Sequence, residues 1–365
     1  MSTKDLCLMN NKQKLITIVG PTASGKTDLS LALAKKYNGY VIAADSRTIY
    51  KEMDIGTAKP APLLSIRRDG VNPVSTKENF LVKGISHFGI NLINPTETFS
   101  ASEFKKYAEN IISCHCERSK EKFEQTASRA EIASSRTPRN DSEDNNYSSP
   151  LFTKEEAGGG LPIPFIVGGT GLYVSAIVDN LSFPAAPPNE TFRKEKNAVE
   201  LSVLVSNLLQ KDPEAEKVVD LKNKRRVIRA LKVLNHTGKL FSNLYKKDPQ
   251  KYSVLMLGVK RDREKIYKRI NERVDQMLSQ GFEEECINLK EKYSCNAPGM
   301  SAIGYSQFCK YLNGELSKEE AVENWKQAER NYAKRQFTWF NKDKRIHWVK
   351  NTQEAEKLIE SYLSS

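Results

Sequence analysis

No stretch of this chain approaches the ~18 consecutive apolar residues that a membrane-spanning helix needs. No N-terminal segment joins an apolar run to a cleavage site either. Neither export nor membrane insertion is indicated, and a cytoplasmic protein is the expectation. The six cysteines (Cys7, Cys114, Cys116, Cys286, Cys295 and Cys309) include no C-x-x-C pair, so they read as free thiols of a reducing compartment. Cys114-His115-Cys116 lacks the second ligand pair that tetrahedral zinc requires. One further absence matters more. The most apolar strand candidate, Pro164 to Val167, runs into Gly168 and Gly169 with no acid at its end, where ordinary phosphate-loop NTPases carry a Mg²⁺-binding carboxylate.

What is present points to phosphate. Gly20-Pro21-Thr22-Ala23-Ser24-Gly25-Lys26-Thr27 fits G-x-x-x-x-G-K-[ST] and follows the β-branched run Leu15-Ile16-Thr17-Ile18-Val19. Leu29, Leu31, Leu33 and Ala34 open a helix behind it. The glycines let the backbone curl so that several N–H groups converge on phosphate oxygens. The helix N-terminus adds partial positive charge. Lys26 adds a full charge, and Thr27 offers a hydroxyl ligand for Mg²⁺. The loop therefore takes a diphosphate or a triphosphate such as ATP.

The 365 residues leave room for two domains with ample core. A strand at Tyr40 to Ala44 ends at Asp45-Ser46, and Ser100 with Glu103 has capping-box spacing ahead of a helix carrying Phe104, Tyr107, Ala108, Ile111 and Ile112. Strands alternating with helices predict an α/β fold: a P-loop NTPase-like parallel sheet core, with ligands at the carboxyl ends of its strands. Residues 1–186 form the first part of that core. Within it, 117–160 is poor in apolar residues and reads as a disordered insertion. Residues 187–252 read as an inserted helical subdomain, on the periodic Leu201, Leu204, Val205, Leu208, Leu209, Val227, Leu231 and Leu234. Residues 253–365 return to the core through the strand Val254 to Val259 and are then mostly helical. No interface signature stands out, so a monomer is the default expectation.

The net charge of +12 is concentrated. Between Lys222 and Arg269 there are 16 Lys or Arg against 3 acids, so the rest of the chain is about neutral. So one-sided a cluster repels itself unless a polyanion offsets it, which favours a nucleic-acid partner. Near the C-terminus, Arg330, Lys334 and Arg335 interleave with Tyr332, Phe337, Trp339 and Phe340.

Six motifs in order then give a specific resemblance: Gly20 to Thr27, Asp45 to Tyr50, Met53 to Pro60, Val167 to Tyr173, Arg225 to Leu231 and Lys334 to Phe340. Together they resemble the tRNA dimethylallyltransferase (tRNA isopentenyltransferase) family over nearly the whole chain apart from 117–160. The resemblance implies transfer of a dimethylallyl group from dimethylallyl diphosphate to the N6 amine of adenosine 37, beside the tRNA anticodon. The phosphate loop would then hold a diphosphate leaving group, with no phosphoryl transfer. That accounts for the acid missing after Val167.

By the same resemblance, Asp45 is the general base on the adenine amine, and Thr22 contacts the diphosphate ester oxygen. Lys26, Thr27 with Mg²⁺, and Arg263 stabilise the departing diphosphate, while Thr170 helps hold the base. The nucleotide must be flipped out of the anticodon loop to reach such a site. Contacts to tRNA are implied at Asp45, Ser46, Arg47 and Thr48, at Arg193, at Arg225, Arg226, Val227, Ile228 and Arg229, and at Lys334, Arg335 and Gln336 onward to Asn341. They are also implied at Ser301 to Ser306, where this chain carries serines and many relatives carry basic residues. Two rival readings are prenylation of a free adenine nucleotide, which would not need the basic cluster, and a phosphate-loop small-molecule kinase.

Overall fold

The structure, a computed structural model, describes residues 12–60, 80–115, 162–184, 186, 189–244 and 248–365. The segment 117–160 read as an insertion lies outside the described residues, as do Cys7 and Cys116.

Seven strands make one sheet: β1 (Lys14–Val19), β2 (Gly39–Ala43), β3 (Phe80–Val82), β4 (Ile85–Phe88), β5 (Ile163–Gly168), β6 (Ser253–Val259) and β7 (Ile346–Val349). Their order is β3-β4-β2-β5-β1-β6-β7. Every neighbouring pair is parallel except β3 with β4. The central strands are buried on both faces, as parallel strands are when helices cover the sheet. In β1 the residues Leu15, Ile16, Thr17, Ile18 and Val19 are all at 0% exposure. The strands expected at 15–19, 40–44, 164–167 and 254–259 are present. Strands β3, β4 and β7 were not anticipated, because three or four residues are too few to establish a period of two.

Helix α1 (Lys26–Lys36) starts after Gly25, whose φ of 99° is a left-handed conformation suited to glycine. Basic Lys35 and Lys36 fall in its last turn, where they complement the helix dipole. Residues 101–115 form the helix α2. The predicted capping box is made, with Glu103 N–H donating to Ser100 Oγ (3.2 Å) and Ser100 N–H to Glu103 Oε2 (2.7 Å).

The chain divides into two compact units, Met1–Val174 with Tyr252–Ser365, and Ser175–Lys251. The second unit contains α3 (Glu190–Asn197), α4 (Leu201–Lys211) and α5 (Lys224–Thr237). These bury Leu204, Leu208, Val227, Ile228 and Leu231 against one another. The basic helix α5 is thus amphipathic. Val227 and Ile228, named above as tRNA contacts, form its buried side instead, because they sit one turn from Leu231 on the stripe that faces α4.

In the first unit, four α-helices lie between β6 and β7: α6 (Arg263–Ser279), α7 (Phe282–Tyr293), α8 (Tyr305–Leu312) and α9 (Lys318–Phe340). Phe282, Phe308, Tyr305 and Trp325 form their aromatic core. A disulfide joins Cys295 to Cys309, which corrects the expectation that all six cysteines are free thiols. The 14-residue separation carries no signature of its own, and only the packing of α8 beside the end of α7 brings the two sulfurs together. Among the described residues, no helix is long and apolar enough to cross a membrane.

Candidate active site

The phosphate loop lies between the end of β1 and the start of α1. Gly20 and Gly25 adopt positive φ, and so does Ala23 at 58°. Lys26 folds back to donate to Pro21 O at 2.7 Å. Its ammonium is desolvated, which lowers its pKa to about 8. Asp45 pulls that value upward, and Arg273 pushes it further down.

Three arginines hold the loop from outside. Arg261 Nε donates to Ser24 O (3.0 Å), Arg269 Nε to Ala23 O (2.9 Å), and Arg273 Nη2 to Thr22 Oγ1 (2.7 Å). Gln336 ties the same loop to the end of β5: its Oε1 accepts from Thr22 N–H at 2.7 Å, and its Nε2 donates to Gly169 O at 3.0 Å. That strand end has no room for an acid. A Cβ at Gly168 would stand 2.1 Å from Ala44 O, and one at Gly169 would stand 2.1 Å from the Gln336 amide nitrogen.

A cavity of about 750 Å³ opens over the loop. Lys26, Arg269 and Arg273 make one end cationic, and Thr22 to Thr27 line it. Asp45, half-buried at the end of β2, lines the same cavity and accepts the Arg47 N–H at 2.8 Å. Strand alternation places Val41, Ala43 and Asp45 along one side of β2, and all three face the cavity. The carboxylate therefore shares one cavity with a cationic end and an apolar strip. Gly56, Thr57 and Ala58 form another wall. Their loop is fixed by Glu285, whose carboxylate accepts the N–H groups of Asp54 (2.9 Å), Ile55 (2.8 Å) and Gly56 (3.2 Å) and the Tyr305 hydroxyl (2.5 Å).

The remaining residues named from the sequence separate into groups. Ser46, Arg47 and Thr48 line the cavity, and Ser46 N–H donates to Thr170 Oγ1 at 3.0 Å. Buried Thr48 leaves its Oγ1 without a partner. Arg335 lines the cavity too, over the Tyr332 ring. Gln336 lines it while spending both ends of its amide on protein. Lys334 lies in a neighbouring groove with Trp339. Trp339 is 43% exposed whereas Phe340 is 2% exposed, so of these two aromatics only Trp339 presents a free face.

Arg263 does not reach the cavity. Its Nε donates to the Tyr267 hydroxyl at 2.7 Å, and it lies in the first turn of α6, about 15 Å along the axis from Arg273 at 1.5 Å per residue. Arg273, farther along the same helix, lines the cavity. In the helical unit, Arg225 and Arg226 are exposed, and Arg193 pairs with Glu190. Arg229 is half-buried and donates to Ala186 O (3.1 Å) and Pro184 O (3.3 Å).

As site residues, Arg261, Arg269, Arg273, Gln276, Glu329 and Tyr332 were not singled out from the sequence. A signal did exist for three of them. Arg269, Arg273 and Gln276 recur at i, i+4 and i+7 beside the buried Ile266, Ile270, Val274 and Met277, which marks a second functional face of α6. On α9, Glu329 interrupts the buried stripe Ala321, Trp325, Ala333. Burial pushes the Tyr332 hydroxyl up to about 12, with Asp45 adding to the shift and a hydrogen bond with Thr170 opposing it.

The family model described as IPP transferase matches residues 48–122 and 155–343, and one described as isopentenyl transferase matches residues 13–71. The chain is 34% identical over 345 residues to the tRNA dimethylallyltransferase of Anoxybacillus flavithermus, covering 94% of this chain and 92% of that protein. It is 36% identical over 361 residues to that of Alkaliphilus oremlandii, covering 96% of each. Among solved structures it resembles the full-length tRNA isopentenylpyrophosphate transferase of Bacillus halodurans, with a TM-score of 0.60, 31% identity and 97% of both chains covered. A eukaryotic dimethylallyltransferase acting on tRNA aligns with a TM-score of 0.62 and 26% identity, over 90% of this chain and 69% of that one.

Proposed function

Because the chain belongs to the IPP transferase family and is a prenyltransferase acting on tRNA adenosine, we propose that its donor is dimethylallyl diphosphate and its acceptor the N6 amine of adenosine 37, beside the anticodon. The observation that carries this reading is Asp45, which shares one cavity with the cationic phosphate loop and the apolar strip of Val41 and Ala43. Diphosphate occupies the cationic end, the dimethylallyl group lies along the strip, and the flipped base brings its amine to Asp45. The N6 lone pair forms the new bond to the allylic carbon while the bond from that carbon to the ester oxygen breaks. The N6 proton passes to the Asp45 carboxylate, and the electron pair leaves with diphosphate.

Each cation has a defined part. Charge grows on the ester oxygen and the diphosphate as the C–O bond opens, so donors fixed beforehand stabilise the transition state more than the ground state. Thr22 Oγ1 already accepts from Arg273, which leaves its own proton free to donate to the ester oxygen. Lys26 faces the same end. The hydroxyl of Thr27, in the first turn of α1 and exposed to the cavity, is a hard oxygen donor of the kind Mg²⁺ accepts. Among the described residues no cluster of three acids or histidines stands ready for a metal, so Mg²⁺ would be held by Thr27 together with substrate oxygens and water. It would supply charge neutralisation of the leaving group.

The enzyme acts as a cytoplasmic monomer in this reading, and the exposed Arg225 and Arg226 meet tRNA phosphates. The test offers labelled dimethylallyl diphosphate with unmodified tRNA or with a free adenine nucleotide. Label should enter tRNA, with one diphosphate released per transfer. Label in the free nucleotide alone would overturn the assignment of the acceptor.

A further inference from the structure

The Arg273 guanidinium reaches Thr22 through a single nitrogen. Its Nη2 donates to Thr22 Oγ1 at 2.7 Å and also to Glu329 Oε2 at 3.2 Å. Its Nε is buried without a partner. Two contacts at one nitrogen therefore fix the pose of the group that faces the leaving oxygen. Glu329 is the unexpected member. It is 8% exposed and lies in the middle of α9, on the stripe that otherwise buries Ala321, Trp325, Ala333 and Phe340. A carboxylate there is disfavoured unless it is paired, and burial does push its pKa up, with Arg273 opposing that shift. The same stripe carries Gln336, two turns on, which holds the Thr22 backbone N–H. Helix α9 thus grips Thr22 twice: directly through Gln336, and through Arg273 by way of Glu329.

We propose that Glu329 is a positioning residue for prenyl transfer: as a buried acceptor it holds the Arg273 guanidinium against the Thr22 hydroxyl. Glu329 borders the cavity, but its Oε2 is engaged by Arg273, and the role assigned to it runs through that guanidinium. The inference rests on the reading that this end of the cavity receives diphosphate. Acceptor capacity, more than charge, is what the geometry uses, so the near-isosteric Glu329→Gln and Glu329→Leu separate the two. In Glu329→Leu the guanidinium loses its anchor and leaves Thr22. Misplacement by about an ångström lowers rates by up to ~10²-fold.

The test measures kcat for dimethylallyl transfer, and the affinity for inorganic diphosphate by titration, in Glu329→Gln, Glu329→Leu, Arg273→Gln and the two double variants. Thermal melts confirm which of them fold. Glu329→Leu should lose about tenfold or more in kcat and bind diphosphate about tenfold more weakly, while Glu329→Gln stays within about threefold of the parent in both. Neither change at 329 should matter once Arg273 is Gln, since the pair acts as one unit. Equal damage from Gln and Leu, an unchanged Leu variant, or the same losses in the Arg273→Gln background would overturn the proposal. A wild-type protein that transfers no dimethylallyl group would sink the functional reading. The diphosphate titration would still decide the role of Glu329. Should Glu329→Leu fail to fold, Glu329→Gln in the two backgrounds decides: a loss beyond threefold, or one unaffected by Arg273→Gln, overturns the proposal.

Discussion

Replacing Gln336 by Leu should damage the enzyme without removing any group that meets substrate. The side chain is 5% exposed, and both ends of its amide are committed, to Thr22 N–H at 2.7 Å and to Gly169 O at 3.0 Å. Leucine fills nearly the same volume and satisfies neither partner. Gly169 is buried, so its orphaned carbonyl bears a penalty of about 1–3 kcal/mol. Thr22 is half-buried beside the cavity, where water can reach its N–H, so its loss lies toward the lower end of that range. Together the stability falls by roughly 2–4 kcal/mol, which for a unit of this size lowers Tm by roughly 4–12 °C. Thr22 is also released from one of its two anchors, so kcat should fall more than tRNA affinity does. Differential scanning calorimetry, with steady-state kinetics on the folded fraction, reads both effects. A Gln336→Leu protein with wild-type Tm and kcat would refute the claim that α9 holds the phosphate loop. If tRNA affinity alone fell, Gln336 would return to the set of direct RNA contacts.

Asp45→Ala should lower kcat by ~10²–10⁴-fold with tRNA affinity unchanged, because the base acts only in the transition state; filter binding beside single-turnover kinetics checks this. Burial holds the Lys26 ammonium down to about 8, so in the empty cavity it loses its proton as pH rises through 8. Bound diphosphate favours the charged form, so affinity is full below that pH and falls by up to ~10-fold per unit above it, with one proton taken up on binding. Comparing wild type with Lys26→Met at each pH cancels the ionisation of diphosphate itself, and parallel curves would contradict the assignment. Arg225→Ala with Arg226→Ala should flatten the salt dependence of tRNA binding by ~0.7–0.9 per lost phosphate contact. Arg229→Ala should instead leave that slope intact and destabilise the helical unit by about 1 kcal/mol in a thermal melt, because Pro184 O loses its donor while Lys232 Nζ still donates to Ala186 O at 3.2 Å.

The parts of the molecule legible in its sequence are those written in local pattern. Each central strand is a β-branched run flanked by turn residues, and the phosphate loop is a contiguous string whose backbone needs glycine at two positions. Asp45 could be found because it immediately follows such a strand. Arg273 could not be placed in the same way. Its partner Thr22 is 251 residues away, and nothing local distinguishes it from Arg263 until the helix phase of α6 is tied to the loop. Gln336 and Glu329 were obscured for a related reason: polar residues in a basic, aromatic helix read as surface, yet both lie on its buried stripe. Arg229 shows the converse. Within a run of exposed arginines it alone turns inward to backbone carbonyls, a choice made by the distant Pro184 and Ala186 and not by its own neighbours in sequence.

Where the prenyl group goes and what leaves with it define the reaction. An unmodified anticodon stem-loop would be incubated with labelled dimethylallyl diphosphate and Mg²⁺, then digested to nucleosides and mapped by mass spectrometry. Label should appear on N6 of the adenosine at position 37, with one diphosphate released for each label incorporated, and the Asp45→Ala protein should incorporate it ~10²-fold or more slowly. Label on another atom or another nucleotide, undiminished transfer by Asp45→Ala, or a phosphate moved from ATP in place of the prenyl group would contradict the proposed reaction.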